Sequence, residues 1–551
     1  MAGKPGAETL FGVEIPAEQR TPLVEALLRL IEQDRATMQQ QQLRIDQLEE
    51  EVRRLKGLPD KPKRKPGPSP LNDPSGPPSA SGEKKKSNTL EGKRPGSAKR
   101  SKTQNLVIHE TVRLPLYGLP DGTKFLGYQD FTVQDLLVEP HNTRYRRGRY
   151  QLPDGKIVTA PLPEKVASHF GPTLRQHMLY QHFHNHVTQP LLHEELLELG
   201  VDISVGQVNR LLTEGHEAFH QEKDSLLPAA REVSTYLQTD DTSAKHGGKG
   251  AHTLHIGNDL FASFFTTDTK SRVNFLKILL SPHPGYLFNN DALFYLECFE
   301  VPQKLLARLK SETGWFYDDD KSWAAQLEAW KIQSAELRRL VTEGALWANL
   351  LAQNLYSDLV LISDDAAQFK LLAFLHALCW VHMERHVAQL IPLTAVQRAA
   401  HEAARDAIWN YYQRLKAYRE SPTSTRRTRL EADFDRLFLT KTGWSELNEA
   451  LEKIHGKKSE LLLVLDRPDI PLHNNLSEND IRQYVKRRKI SAGTRSDAGR
   501  PCRDTFLSLK TTCRKLGLTF WRYLRDRIHD LHDIPPLSDL IRRKAAELAS
   551  A

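Results

Sequence analysis

Acidic residues follow β-prone stretches at two places in this 551-residue chain, and a third acidic residue opens a helical stretch. The first two strings are Leu237–Thr242 (LQTDDT) and Leu361–Ala366 (LISDDA), and the third is His473–Arg482 (HNNLSENDIR). Mg²⁺ takes oxygen ligands and is often held by few carboxylates together with substrate phosphates. Two such ions can activate an attacking oxygen and stabilise a leaving one. Carboxylates that converge from distant strings therefore predict a metal-dependent phosphoryl-transfer site.

Only one carboxylate of each adjacent pair can face such a site, because neighbouring residues of a strand point to opposite faces of the sheet. Asp240 and Asp364 are the predicted ligands, since each directly follows the apolar strand residues, and Glu478 is the third. Asp241 and Asp365 are then expected in turns or behind the site. The alternative is ordinary turn chemistry, in which aspartate is common.

A basic run follows Glu478 and is expected to contact phosphate groups. It consists of Arg482, Lys486, Arg487, Arg488 and Lys489. The alternative is a helix face that is simply solvated. Upstream, the string Cys379–His386 predicts a buried cysteine and tryptophan, with His382 and Arg385 facing the site or the substrate. A structural zinc ion is the minor alternative there, since no second ligand pair is near.

The segments around the carboxylates predict an α/β fold. The order of elements is that expected of a ribonuclease-H-like core: three β-like runs, a helix, and a fourth strand that leads into Asp364. The three runs are Val233–Gln238, His252–Gly257 and Leu260–Thr267, the helix is Ser271–Leu280, and the fourth strand is Leu359–Ser363. We therefore predict a catalytic domain over 229–530, with helical insertions at about 284–356 and 384–465, and a C-terminal tail over 531–551.

The N-terminal part of the chain predicts self-association and a polyanion partner. Eight of the ten a and d positions in 22–57 are apolar over five heptads, so a coiled-coil helix is expected over 20–57. Packing of that helix on its own body is the alternative. Residues 58–104 hold 12 Lys/Arg, 4 Asp/Glu and nine prolines, which predicts a disordered basic linker. This segment carries a charge equal to the net +8 of the whole chain, which favours nucleic acid as partner over a plain spacer.

Two further segments are expected between the linker and the core. Residues 105–163 alternate β-like runs with turns and predict a small β module, while 164–228 predicts helices. Within the latter, Leu191–Leu199 and Val205–Leu212, with Ser204 as N-cap, have helix–turn–helix spacing, which could read DNA or be an ordinary helical hairpin. Four nearby histidines are interpreted as packing or solvent residues, not metal ligands: His177, His182, His184 and His186.

Composition excludes several classes of protein. Four scattered cysteines exclude a disulfide framework, and the N-terminus lacks the basic and apolar segments of a signal peptide. No apolar run reaches 18 residues, so we expect no membrane span. A cytoplasmic protein, associated with the nucleoid when bound to DNA, is the expected localisation.

Taken in this order, the strings resemble those of IS66-type transposases, a branch of the DDE superfamily. The N-terminal helix, the basic linker and the mid-chain helical region fit the same layout, so the resemblance covers most of 20–530. The matching elements are Asp240-Asp-Thr242, Ser363-Asp-Asp-Ala-Ala-Gln-Phe369, Cys379-Trp-Val-His382 with Arg385, Asn474-Asn-Leu-Ser-Glu478 with Ile481-Arg482, Thr511–Gly517 and Phe520–Leu524. One departure is that 105–165 contains no cysteine, whereas many relatives carry a zinc-finger-like segment there. A zinc site in that segment is therefore excluded.

The resemblance implies a transposase that cuts transposon ends and joins the 3′ hydroxyls to target DNA. Asp240, Asp364 and Glu478 would be its acidic triad, holding two Mg²⁺ (or Mn²⁺) ions. DNA, a homo-oligomer formed through the N-terminal helix and possible accessory proteins of the element are the implied partners. A DNA-binding relative that has lost its chemistry and a structure-specific nuclease on the same fold are the competing interpretations.

Overall fold

The computed structural model describes residues 107–550, apart from short gaps, together with two strands near the N-terminus. The gaps are 115–116, 118–119, 121–122, 125, 127, 165, 167, 357 and 371–373. The predicted coiled coil at 20–57 and basic linker at 58–104 lie outside the described residues. The chain divides into two units, the first formed by residues 1–53 and 57–141 and the second by residues 54–56 and 142–551.

The strands are β1 (Thr9–Leu10), β2 (Val13–Glu14), β3 (Arg149–Gln151), β4 (Ile157–Thr159), β5 (Tyr236–His246), β6 (Lys249–Gly257), β7 (Ala262–Thr267), β8 (Tyr286–Phe288), β9 (Trp315–Tyr317), β10 (Val360–Ser363) and β11 (His376–Leu378). In the first unit, β1 and β2 form an antiparallel pair. The described residues of 107–141 contain no helix or strand, and nearly all of them are exposed.

In the second unit, the helices that precede the central sheet are α1 (Pro172–Leu179), α2 (Gln189–Glu198), α3 (Val205–Thr213), α4 (Glu217–Asp224) and α5 (Leu226–Val233). Within and after the sheet follow α6 (Arg272–Leu279), α7 (Asn290–Cys298), α8 (Gln303–Leu309), α9 (Asp320–Ala329), α10 (Ala335–Ala352) and α11 (Trp380–Ala388). The remaining helices are α12 (Ala395–Glu420), α13 (Ser424–Phe438), α14 (Ser445–His455), α15 (Lys458–Leu461), α16 (Asn475–Ser491), α17 (Gly499–Lys515), α18 (Phe520–Ile528) and α19 (Leu537–Ser550).

A five-stranded mixed sheet is the centre of the second unit, with strand order β11–β10–β5–β6–β7. β5, β6 and β7 form an antiparallel meander, and β10 runs parallel to both β5 and β11. The predicted α/β class is confirmed. The first strand, however, does not end before Asp240 as expected, since nine register pairs with β6 carry β5 through Asp240 and Asp241 to His246. The polar residues after Gln238 look like a turn, but cross-strand pairing extends the strand.

Among the described residues, two large apolar cores pack on the two faces of this sheet, and a third, smaller core joins β5, β6 and β7 to α16 and α17. All four residues of β10 are buried, and they alternate between the cores, since Leu361 joins the first while Val360 and Ile362 join the second. The second core contains the apolar faces of α11 to α14. The helical segment at 384–465 therefore packs directly on the sheet that carries the predicted ligands.

The segment before the sheet contains one β-hairpin and the predicted helix pair. β3 and β4 pair antiparallel across Pro153–Gly155, and the helices α2 and α3 occupy the predicted helix–turn–helix positions. Ser204 Oγ accepts a hydrogen bond of 3.2 Å from the backbone N–H of Gln207 and so caps α3. The domain boundaries themselves stay predictions. Among the described residues, none of the helices is long and apolar enough to span a bilayer.

Candidate active site

Sheet register brings the first two acidic strings together. β10 and β5 are parallel, and Ile362 pairs with Gln238. Continuing this register by two residues places Asp364, just past the end of β10, beside Asp240 on β5. A residue just past the end of one parallel strand and a residue within the neighbouring strand can therefore face one site.

The third string is fastened to β5 by hydrogen bonds that involve two adjacent strand residues. Asn474 Nδ2 donates to the carbonyl oxygen of Thr239 at 2.8 Å, and Gln238 Nε2 donates to the carbonyl oxygen of His473 at 3.1 Å. The backbone N–H of Ser477 donates to Gln238 Oε1 at 3.3 Å. These contacts fix the first turn of α16, which contains Glu478, next to the strand that carries Asp240.

A buried polar network between β6 and α16 holds the same turn in place. His255, which pairs with Asp240 across the sheet, contacts Ser477 Oγ through Nδ1 at 2.6 Å and Asp480 Oδ2 through Nε2 at 3.3 Å. Lys515 Nζ lies 2.8 Å from the same Asp480 oxygen. The side chains of His255 and Asp480 are 0% and 4% exposed. A buried network of this kind specifies one orientation of α16, because breaking it leaves uncompensated polar groups.

The two aspartates of each pair have different surroundings. Asp241 Oδ2 lies 2.8 Å from Lys270 Nζ and accepts a hydrogen bond of 2.7 Å from Gln368 Nε2. Asp365 Oδ1 lies 2.6 Å from Lys370 Nζ and 3.3 Å from Lys457 Nζ, and these lysines lower the pKa of Asp365. Both carboxylates are therefore already paired with lysine.

Asp240 and Asp364 accept hydrogen bonds from backbone N–H groups instead. Asp240 Oδ1 accepts from Asp241 at 2.8 Å, and Asp364 Oδ1 accepts from Ala366 at 3.1 Å. Within the described part of the chain, neither carboxylate has a cationic side chain within 4.0 Å, and so both remain available to a metal ion.

Burial, together with the neighbouring charges of Asp364, Asp241 and Glu478, raises the pKa of Asp240 to about 7, although the Asp241 N–H acts in the opposite direction. The mutual repulsion shows that the three predicted ligands lie within electrostatic reach of one another. A cation would relieve this repulsion.

Glu478 faces three nitrogen-bearing side chains. His382 Nε2 and Arg385 Nη2 each lie 3.5 Å from Glu478 Oε1, and Arg482 Nη2 lies 3.9 Å from Oε2. Burial and the Arg385 guanidinium lower the pKa of His382, so its ring is neutral at pH 7. The residues that the structure describes contain no closed group of three or more metal-ligating side chains.

The basic run after Glu478 divides between surface and interior. Arg482, Lys486 and Lys489 are exposed and recur at the spacing of one helix face. Arg488 donates to Thr242 Oγ1 at 3.3 Å and to Ser243 Oγ at 2.7 Å. The prediction that Arg487 contacts phosphate is not supported by its position, because Arg487 is 6% exposed and its guanidinium bonds to another part of the chain. The helix period turns this one residue inward.

Cys379 and Trp380 are buried, as the pattern predicts. Cys379 Sγ accepts a contact of 3.2 Å from the backbone N–H of Asn474, and Trp380 Nε1 donates to the carbonyl oxygen of Leu461 at 3.1 Å. Cys379 thus links the end of the sheet to the third string.

Sequence reasoning missed the residues that hold the site from behind. Gln238 lies within the first string and Ser477 and Asp480 within the third, but the patterns of these strings predict no role for them, and His255 lies outside all three strings. Lys270 and Lys457, which form ion pairs with the second aspartate of each pair, are likewise remote in sequence from their partners.

Comparison with known proteins gives one family and one relative. The family model described as "Transposase IS66 family" matches residues 343–501, a range that includes Asp364 and Glu478. An uncharacterized protein, y4jO of Sinorhizobium fredii (strain NBRC 101917 / NGR234), is 39% identical over 323 residues. The match covers 58% of this chain and 100% of that protein.

Proposed function

The chain belongs to the IS66 transposase family, and on that premise we propose that it cuts transposon ends and joins their 3′ hydroxyls to target DNA. The observation that carries this proposal is the approach of three acidic residues from three distant strings, two at the strand β5 and the end of β10 and one in the first turn of α16. Asp240, Asp364 and Glu478 are the proposed catalytic triad. The sheet, with an antiparallel meander followed by two parallel strands, supports a ribonuclease-H-like core.

The donor set fits a hard divalent cation. All three side chains supply carboxylate oxygens, which Mg²⁺ and Mn²⁺ prefer. Burial and the nearby carboxylates raise the pKa of Asp240, and a bound cation would offset both effects. We propose that Asp240, Asp364 and Glu478 hold two ions. When bound, they would help to generate the attacking oxygen from water or a 3′ hydroxyl and would stabilise the leaving 3′ oxygen.

The protein's own residues then position the substrate and the triad. Asn474, Gln238 and His255 hold the first turn of α16 against β5. Catalysis of phosphoryl transfer depends mainly on such positioning and on electrostatic stabilisation. Arg385 and His382 contact Glu478. When that carboxylate turns to the metal, the two side chains become free to bind phosphate oxygens of the DNA.

The exposed face of α16 is the proposed route of a DNA strand away from the triad. Arg482 and Lys486 follow Glu478 at one-turn intervals, and Lys489 continues the same face. Arg488 would act by holding the β5 residues Thr242 and Ser243 rather than phosphate. Self-association through 20–57 and additional DNA contact through 58–104 complete the proposal and rest on sequence alone.

The test is a strand-transfer assay on labelled duplex DNA that ends in the element's terminal repeats, with Mg²⁺ and a target plasmid. The wild-type chain should nick the 3′ end and join it to the target, while Asp364→Asn and Glu478→Gln should form neither product. Cleavage without joining, and without preference for the terminal repeat, would identify a structure-specific nuclease. Binding without either reaction in the wild-type chain would identify a catalytically silent relative.

A further inference from the structure

A single π-helical turn, Tyr180–His184, lies where α16 and α17 meet. Arg487 of α16 donates to the carbonyl oxygen of His182 at 2.8 Å and to its ring Nε2 at 2.6 Å. Lys510 Nζ of α17 donates to the carbonyl oxygen of His184 at 3.1 Å. Turns of this type occur frequently at functional sites. Two cations from two helices therefore converge on one irregular turn.

Positive charge accumulates here without matching negative charge. Arg487 and Arg503 are 6% and 8% exposed, and in the described part of the chain neither has a carboxylate within 4.0 Å. Arg503 donates to the carbonyl oxygens of Ala492 and Gly493 instead. Buried charges are normally paired, because removing them from water without a counter-charge is costly. Arg487, Arg503 and the nearby Lys486, Lys510 and Arg514 form a cationic cluster, which lacks a matching anion among the described residues.

The more exposed cations of the cluster are no better compensated. Lys486 is exposed and has no ion pair among the described residues, and Lys510 bonds only to backbone carbonyl groups. Arg514 lies 3.3 Å from Asp480, but this carboxylate already contacts His255 and Lys515. Burial and the repulsion from Arg514, Arg487 and Lys486 lower the pKa of Lys510 to about 8, the direction expected where an anion is missing.

Two histidines, His184 and His186, lie beside these cations. The Nδ1 atoms of His184 and His186 are buried, and within the described residues neither has a hydrogen-bond partner. Burial, reinforced by Lys510, lowers the pKa of both histidines to about 4, so both are neutral at pH 7. A neutral imidazole can donate one N–H bond to an oxyanion, whereas a metal cation would be repelled by the surrounding lysine and arginine.

We propose that Lys486, Lys510, Arg514, His184 and His186 form a phosphate-binding subsite that holds the backbone of a DNA strand leaving the triad. The inference rests on the proposed function for the identity of the polyanion. Lys486 follows Glu478 by eight residues on the exposed face of α16, which corresponds to about 12 Å along the helix. A DNA strand that runs along this face past Arg482 therefore reaches the proposed subsite.

Equilibrium binding tests the subsite without requiring catalysis. The probe is a fluorescent DNA duplex of arbitrary sequence, measured in EDTA by anisotropy over a series of KCl concentrations. Each lost phosphate contact should reduce the slope of log K against log salt by about 0.9. The double variant Lys486→Ala/Arg514→Ala should therefore lower the slope by about two, since both side chains are on the rim of the cluster.

The control is Lys304→Ala/Lys310→Ala, which removes the same charge from exposed positions on and just after α8. It should leave the slope near that of the wild-type chain. Equal slopes for the wild type and the Lys486/Arg514 variant would overturn the proposal, as would an equal fall in the control. Lys510→Gln should weaken binding at least fivefold with unchanged circular dichroism; if this variant unfolds, the rim variant alone decides.

The outcome is independent of strand transfer. A reduced slope in a chain that performs no joining would retain the subsite and reject the proposed reaction. An unchanged slope in a chain that does join DNA would retain the reaction and reject the subsite.

Discussion

Asn474 Nδ2 donates a hydrogen bond of 2.8 Å to the carbonyl oxygen of Thr239, the residue immediately before Asp240. The backbone N–H of Asn474 contacts Cys379 Sγ at 3.2 Å, and its carbonyl oxygen accepts from the N–H of Glu478 at 3.1 Å. One buried residue thus connects the strand that carries Asp240, through its side chain, to the helix that carries Glu478, through its backbone. The asparagine in this string is a structural link between two of the proposed ligands.

Replacing Asn474 by alanine should destabilise the fold and slow catalysis. The substitution removes the side-chain hydrogen bond to the buried carbonyl oxygen of Thr239, and leaving that oxygen without this partner costs about 1–3 kcal/mol in the free energy of unfolding. A shift of α16 by about 1 Å relative to β5 would lower the single-turnover strand-transfer rate by roughly 10²-fold. Urea unfolding and the strand-transfer assay measure the two effects.

The matched control for stability is Asn475→Ala, because Asn475 is the next residue and is exposed. Its effect on the free energy of unfolding should stay within about 0.5 kcal/mol. If both variants unfold at the same urea concentration as the wild type, the link between Asn474 and Thr239 contributes nothing measurable.

Asp240 should make the stability of the metal-free protein depend on pH. Its pKa is raised to about 7, so between about pH 4 and 7 the folded protein binds a proton that the unfolded chain has lost. The stabilisation is complete below the unfolded pKa and disappears as the pH rises through 7. In EDTA, the free energy of unfolding of the wild type should therefore fall from pH 5 to pH 8 more steeply than that of Asp240→Asn.

The same variant should separate metal binding from folding. Mg²⁺ should raise the unfolding midpoint of the wild type at pH 8, because a ligand that binds only the folded state stabilises it. The effect should be much smaller for Asp240→Asn. Parallel pH profiles for the two proteins, with equal responses to Mg²⁺, would show that Asp240 is neither strained nor a ligand.

Gly493 permits the chain after α16 to approach the end of β5. Thr494 N–H donates to the carbonyl oxygen of Lys245 at 3.0 Å, and Gly247 N–H donates to that of Thr494 at 2.9 Å. A Cβ atom on Gly493 would lie 2.2 Å from the Lys245 carbonyl oxygen, which is backbone and cannot turn away. Gly493→Ala should therefore lower the free energy of unfolding by about 1–3 kcal/mol.

Gly443→Ala is the control for that substitution, since a Cβ atom there meets no heavy atom within 4 Å. Thermal unfolding should distinguish the two variants. A midpoint for Gly493→Ala equal to that of Gly443→Ala would mean that the loop after α16 adapts without cost.

The sequence predicts the strands and helices that carry the site better than it predicts the side chains that hold them in place. Apolar β-prone runs and the order of strand, helix and acidic residue are local signals, and β10 and α6 lie close to their predicted bounds. The local pattern ends β5 too early, because pairing with β6 is a long-range effect that no local signal encodes.

The sequence does not predict which side chains form ion pairs or hydrogen bonds with each other. Asp241 and Asp365 were expected to lie in turns or behind the site, but their lysines come from other elements, such as Lys270 before α6 and Lys457 after α14. Arg487 belongs to an apparently uniform basic run, and only the packing of α16 against the π-helical turn makes it interior. Such contacts depend on tertiary packing, which composition and spacing do not determine.

The central claim is that Asp240 and Asp364, together with Glu478, perform the chemistry, while the adjacent carboxylates do not. The most direct measurement is the single-turnover strand-transfer rate of Asp240→Asn beside that of Asp241→Asn, in Mg²⁺ and on the same terminal-repeat DNA. We predict no detectable product from Asp240→Asn, and joined product from Asp241→Asn at a rate within about tenfold of the wild type, since Asp241 is paired with Lys270. Joining by Asp240→Asn together with its loss in Asp241→Asn would contradict the account.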